Sequence, residues 1–341
     1  MDEMLRYFKI AKKKYDLHQD ASQEIKATAL TCIRMMQSAQ RQDWNGPSGK
    51  SYSIFFSDGN RSRPFLTNHL VSTESFISLW DQLINSANPA INGFSLSEEL
   101  VTKTLYNIIV PFCVCFDLWK PKSRKTPGTF FEVVLGTMIS MILPPTIART
   151  KHIQLPFSVS PAINAAAGYN RSVSLVDAPQ NELLVDSESQ SAHLNEEVED
   201  QGLDMGQVAT DIVFDWNGTG IVIPAKITTR ERIVQPFAHQ RILDGVFGEG
   251  RYVSLLMCVS ETQRSDNDQR VNEICVPGTI TLFQRHLARL GGIYYLDPPE
   301  RYMTLGGLGI IPVQSLGALL TIGLVDILRR LNLVPPARGR F

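Results

Sequence analysis

The residues best suited to chemistry gather between Thr210 and Leu243. Asp211 opens a short apolar run, Ile212-Val213-Phe214, and Asp215-Trp216-Asn217-Gly218 follows, where Asn-Gly favours a tight hairpin reversal. A second apolar run, Gly220 to Ala225, delivers Lys226. Thr228-Thr229 reads as a helix N-cap, and Arg230, Arg232 and Arg241 make the segment behind it basic. The pattern therefore puts an acid on one strand, a lysine on its partner and a cationic helix directly after. Phosphodiester hydrolysis needs such parts: a carboxylate for a divalent cation, a metal-bound water of lowered pKa, and a cation beside the phosphate. Neighbouring strands lie ~4.8 Å apart, so Asp211 and Lys226 can face one phosphate. The arginines would hold flanking phosphates or reach base edges. A plain β-hairpin with a solvated lysine uses the same residues.

The elements that must position this stretch lie on both sides of it. Residues 5–43 read as helical, with Leu5, Phe8, Ile25, Ala29, Cys32, Met35 and Met36 at helix-like spacing. Ser51 to Phe56 reads as a strand, and Phe76 to Ala87 and Ser97 to Val110 as helices. A basic loop, Lys120 to Gly128, carries Lys122, Arg124 and Lys125 and suits phosphate contact. Pro127 then marks a helix start. Glu132 is the sole ionisable side chain from Phe130 to Pro144, so it either faces a site or serves the helix N-terminus. Downstream, Tyr252 to Val259, Asn272 to Val276 and Ile293 to Leu296 read as strands and Thr279 to Leu290 as a helix. Strands alternating with helices after a hairpin imply an α/β architecture with a mixed central sheet flanked by helices. We expect a helical N-terminal subdomain over 1–110 and a core over 111–341.

The stretch resembles the PD-(D/E)xK nuclease superfamily, in which an Asp starts one strand and a (D/E)-x-K tripeptide ends the next. Asp211 and Lys226 match the Asp and the Lys, while Pro224 stands at the second acid's place. It is similar to one group of type II restriction endonucleases whose second carboxylate has moved to the following helix. Lys226-Ile227-Thr228-Thr229-Arg230-Glu231-Arg232 looks like that group's Lys-Thr-x-x-Arg-x-Arg run, and its helix acid would fall near His239 or Gln240. Gly128-Thr129-Phe130-Phe131-Glu132 is similar to the group's Gly-x-x-Phe-Glu helix start, whose Glu faces the metal. The resemblance implies a restriction-endonuclease-like core and Mg²⁺-dependent cutting of double-stranded DNA by a homodimer or larger assembly. It makes Asp211, Lys226, Glu132 and Gln240 the catalytic candidates and Asp211, Glu132 and Glu231 the metal candidates. DNA contacts fall to Arg230, Arg232, Arg241, Lys122, Arg124 and Lys125. A DNA-binding protein that has lost catalysis is the alternative, motivated by Pro224 and the missing helix acid.

Composition sets the remaining bounds. The chain has 341 residues, 43% of them hydrophobic and 20% charged, enough for a large buried core. Its net charge of −1 hides an uneven distribution, because nine acids and no Lys or Arg lie between Val173 and Met205. The rest of the chain is basic, which is compatible with DNA binding, and the acidic stretch at about 173–205 reads as a solvated loop. Five scattered cysteines argue against a disulfide framework and fit a reducing cytoplasm. The 22 uncharged residues from Thr304 to Val325 are broken by glycines and Pro312, so we expect a buried C-terminal helix from about Val313 and no membrane span.

Overall fold

The computed structural model describes residues 1–123, 125–144, 147–154 and 207–334. Helices α1 (Asp2–Asp16) and α2 (Ser22–Gln37) come first, where one continuous helical segment was expected. The helical phase ends at Gln37, and the chain turns directly into strand β1 (Gln40–Asn45). Strand β2 (Ser51–Ser57), the short β3 (Asn60–Arg61) and β4 (Phe65–Leu66), helix α3 (Thr73–Asn85) and the two-residue β5 (Ala87–Asn88) and β6 (Gly93–Phe94) follow. Helix α4 (Glu98–Trp119) continues through Pro111, so the expected boundary between 110 and 111 falls inside it. Next come α5 (Thr126–Ile142) and strands β7 (Ala148–Gln154), β8 (Gln207–Asp215), β9 (Gly220–Ile223) and β10 (Ala225–Lys226). Helix α6 (Val234–Phe247), strands β11 (Tyr252–Ser260), β12 (Thr262–Ser265) and β13 (Arg270–Glu273), helix α7 (Pro277–His286), strand β14 (Gly292–Asp297) and helix α8 (Glu300–Gly307) complete the central part. The tail forms strand β15 (Val313–Ser315) before its helical segment begins at Leu316. The acidic stretch at about 173–205 lies outside the described residues.

Two large sheets and the small β5–β6 pair organise these elements. The larger has seven strands in the order β15-β14-β11-β9-β8-β7, with β10 also paired to β11. It is mixed: β9, β14 and β10 run parallel to β11, whereas β8 and β9 are antiparallel. The smaller runs β12-β13-β1-β2-β3, with β4 on β2. The N-terminal third is thus helical but contributes strands of its own.

Burial follows the period-2 alternation of strands. On β11, Leu255, Met257 and Val259 join the main core with α1, α2, α4 and α5, while Leu256 and Cys258 join a second core with Phe237, Tyr295 and Tyr302. The sheet is therefore covered on both faces, which is why its central strands read as near-continuous apolar runs. Beneath it, Phe112 stacks on Phe130 at 4.1 Å between ring centres, and Phe8 meets both edge-on, at 5.3 and 5.7 Å. That cluster fixes α5, the helix carrying Glu132.

Among the described residues, α4 alone is long and apolar enough to cross a membrane, and 83% of its apolar window is buried inside the protein. The C-terminal helical segment packs Leu316, Leu319, Leu320, Leu324, Ile327 and Leu328 into the same core. Its close approach to α4 depends on Gly317, whose amide donates to Thr102 Oγ1 at 3.1 Å. A Cβ there would fall on the Glu98 carbonyl oxygen. Gly317→Ala is therefore expected to destabilise the protein by about 1–3 kcal/mol, the usual cost of overpacking. Urea unfolding of both forms checks this, and an unchanged midpoint would refute the tight contact.

Candidate active site

The hairpin forms as its sequence dictates. Asn217 and Gly218 adopt φ of 54° and 84°, the left-handed pair that Asn-Gly tolerates, and β8 pairs with β9 from Asp215–Gly220 to Ile212–Ile223. There the ladder stops, because the next residue is Pro224, which has no N–H to give. The Pro224 carbonyl turns instead to Met257 N at 2.9 Å, and β10 pairs with β11 rather than with β8. This leaves the Ala225 N–H without a backbone partner on β8, and Asp211 supplies one. Its Oδ2 accepts from Ala225 N at 2.8 Å and from Lys226 Nζ at 3.0 Å. Asp211 is 31% exposed and Lys226 17%, so the pair is open to a substrate yet largely shielded from water.

Glu132 on α5 adds a second carboxylate. It is half-buried and pairs with Lys151 Nζ of β7 at 3.1 Å. Burial pushes its carboxyl above the ordinary range, Lys151 pulls it down, and the charges of Asp211 and Asp16 push it up again. Arg149, two residues before Lys151 on the same strand, stacks over the Tyr15 ring 3.2 Å from its centre and donates to the Tyr15 carbonyl. Tyr15, Arg149 and Lys151 thus belong to the surroundings of the site, though only the Arg-x-Lys alternation of a strand hinted at it. His239 on α6 faces the same pair. Its pKa is lowered by burial first, then by the Lys226 charge, with Asp211 opposing.

Gln240, expected beside the metal, has its amide engaged in holding α6 to β11. Its Nε2 donates to Asp244 Oδ1 and to the Tyr252 carbonyl, both at 2.8 Å, and its Oε1 accepts from Ser254 N at 2.8 Å. Gln240 is only 2% exposed. The side chains of Arg230 and Glu231 and the whole of Arg124 lie outside the described residues. Thr229 stands where an N-cap was expected but does not cap: its amide and hydroxyl donate to Glu261 Oε1 at 2.9 and 2.6 Å. Glu261, only 1% exposed, also accepts from Tyr295 Oη at 3.2 Å. It ties down the loop immediately after Lys226, a role no local pattern announced.

The basic candidates separate. Exposed Arg232 lines a cleft with residues of the loop that carries Lys122 and Lys125, both also exposed. Arg241 lines a different cleft, beside Arg285 and Arg289. Among the described residues no group of three or more His, Cys, Asp or Glu is gathered tightly enough to hold a metal ion by protein ligands alone.

Two expectations follow from these contacts. Gln240→Ala strands the buried Ser254 N–H and Tyr252 carbonyl and should cost about 2 kcal/mol or more, read from urea midpoints. A loss under half a kcal/mol would mean water replaces the amide. Glu132 has a folded-state pKa above its unfolded value, so the folded form holds the proton more tightly over that interval. Wild type should therefore lose stability relative to Glu132→Gln as pH rises from the ordinary carboxylate range through the raised pKa, and the difference should then level off. Melting temperatures of both forms across pH test it, and a difference independent of pH would refute it.

No protein-family model matches the sequence, and no curated protein does. Among solved structures, the chain is similar to the type IIP restriction endonuclease Kpn2I, with 31% sequence identity and a TM-score of 0.73 over 97% of this chain and 98% of that one. Likeness of that order over nearly the whole of both chains, with a mixed α/β sheet flanked by helices in common, shows that this protein belongs to the restriction endonucleases.

Proposed function

We propose that the protein is a type II restriction endonuclease that hydrolyses phosphodiester bonds of double-stranded DNA at a specific sequence, with Mg²⁺ as cofactor. The observation that carries this reading is the Asp211 carboxylate held against Lys226 Nζ at 3.0 Å, with Glu132 within its electrostatic reach. The donor set suits Mg²⁺, which is commonly bound by one or two carboxylates and completes its shell with water and substrate phosphate. Asp211 and Glu132 would hold it. When bound, the ion lowers the pKa of an attacking water and offsets charge on the phosphate.

The residues of the chain supply the rest. Lys226 presents a fixed ammonium that neutralises charge building on the phosphate oxygens, and partial burial keeps that charge effective. Asp211 orients Lys226 through its shared oxygen. His239 is shifted toward the neutral imidazole, the form able to accept a proton beside the pair. Exposed Arg232, Lys122 and Lys125 are suited to phosphate oxygens. Cutting both strands at a symmetric site calls for two such centres, so we infer a homodimer or larger assembly. The cytoplasm is the compartment the unpaired cysteines suit.

Pro224 beside Asp211, and Gln240 held on β11, favour one second reading, a family member that binds DNA without cutting it. Plasmid DNA of mixed sequence separates the two. With Mg²⁺ the wild-type protein should give discrete fragments, EDTA should abolish them, and Lys226→Ala should cut at least about 100-fold more slowly. Salt-sensitive retention of DNA without cleavage would replace the nuclease by the binding module. Neither cutting nor retention would overturn both.

A further inference from the structure

A second charged surface begins where the catalytic strand ends. Ile227 and Thr228, the two residues after Lys226, line a cleft of about 640 Å³. Its cations arrive from four separate elements: Arg61 on β3, Lys120 at the end of α4, Arg232 in the turn after Lys226, and Arg264 on β12. This convergence accords with the basic character of the chain outside residues 173–205. A fifth cation, Arg63, is structural. Asp117 accepts from its backbone N at 2.7 Å and from its Nε and Nη2 at 2.8 and 2.9 Å, which neutralises it.

The other four are differently placed. Arg61 and Arg264 share one carboxylate, Asp266, at 3.1 and 3.8 Å. That aspartate is 48% exposed, so these pairs are worth about 0–1 kcal/mol and exchange readily for a stronger anion. Lys120 and Arg232 are exposed, and among the described residues neither has an ion-pair partner. Hydroxyls of Thr228, Ser260 and Thr262 add neutral donors along the same wall. Arginines, lysine and hydroxyls together are the donor set that binds phosphate oxygens and sugar edges without reading sequence. The cleft is too small for a duplex but suits a stretch of one sugar–phosphate backbone. Ile227 and Thr228 in its wall directly follow Lys226, which places the cleft next to the Asp211–Lys226 pair along the chain.

We infer that this cleft, walled by Arg61, Lys120, Arg232 and Arg264, docks the sugar–phosphate backbone of DNA flanking the catalytic pair. The inference rests on the nuclease reading for its ligand. It adds a docking wall built by the N-terminal sheet and the end of α4, contributed by residues far from the catalytic stretch in sequence. Asp266 acts there as a counter-charge that a DNA phosphate displaces.

The test is binding of a short mixed-sequence duplex, followed by fluorescence anisotropy over a range of salt concentrations in EDTA, where no cutting occurs. Lys120→Gln with Arg264→Gln should lower the slope of log affinity against log salt by about two, since each lost phosphate contact removes roughly 0.9. Lys120→Gln alone changes only an exposed, unpaired side chain, so it keeps the fold and should lower the slope by about one. Asp266→Asn should tighten binding, and Arg34→Gln, an equal charge removed from an exposed position on α2, should leave the slope as it is. Unchanged slopes in both cleft variants, or weaker binding in Asp266→Asn, would overturn the groove. So would a wild-type protein that cuts plasmid while its cleft variants bind as tightly as it does. Duplex binding that falls in the cleft variants, in a wild-type protein that never cuts, would support the groove and remove only the nuclease reading.

Discussion

One carboxylate organises the centre of this molecule. Asp211 Oδ2 completes a hydrogen-bond ladder that Pro224 has cut short, and the same atom holds the Lys226 ammonium. Proline cannot donate, so β9 ends at Ile223 and the chain shifts its pairing from β8 to β11. A backbone amide is thereby freed exactly one residue before the lysine, and a side chain takes it up because a buried N–H without a partner is costly. Pro224 is therefore also the device that brings acid and lysine together.

What surrounds that pair serves to keep it still. Below it, the aromatic cluster of Phe8, Phe112 and Phe130 locks α5, and with it Glu132. Beside it, Glu261 sits at the point where the chain leaves β11 for β12, passing from one sheet to the other. Its carboxylate fastens Thr229 and so the loop behind Lys226. Gln240 performs the matching task for α6, clamping it to Tyr252 and Ser254. Rigid elements on both faces of the sheet hold the pair in place, and small misplacements of reacting groups are expensive in rate.

Charge is distributed with similar economy. Lys151 and Arg149 lie on one face of β7 and attend Glu132 and Tyr15 respectively. Arg61 comes from a segment distant in sequence to share one aspartate with Arg264. The electrostatic character of the protein is thus set by clefts rather than by the total, which is why a net charge near zero does not argue against a polyanionic partner.

Local chemistry was legible in the amino-acid sequence wherever a short run of residues decides its own conformation. Asn217-Gly218 specified the hairpin, Pro127 the start of α5, and alternating or continuous apolar runs the strands β2, β11 and β14. The approach of Asp211 to Lys226 was legible only in part: the β8–β9 hairpin leads the chain back toward Asp211, but Lys226 lies beyond Pro224 on β10, which pairs with β11. The position of Gln240, the sheet change at Glu261 and the gathering of Arg61 with Arg264 could not be read in the same way. Each depends on which distant backbone amide or charge the packing brings within hydrogen-bond distance, and nothing within a few residues encodes that. Gln240 carries the same local signal whether it points at a metal or at Ser254. Only the docking of α6 on β11 chose between them, because a buried amide must spend its donors and acceptor on whatever neighbours the tertiary structure supplies.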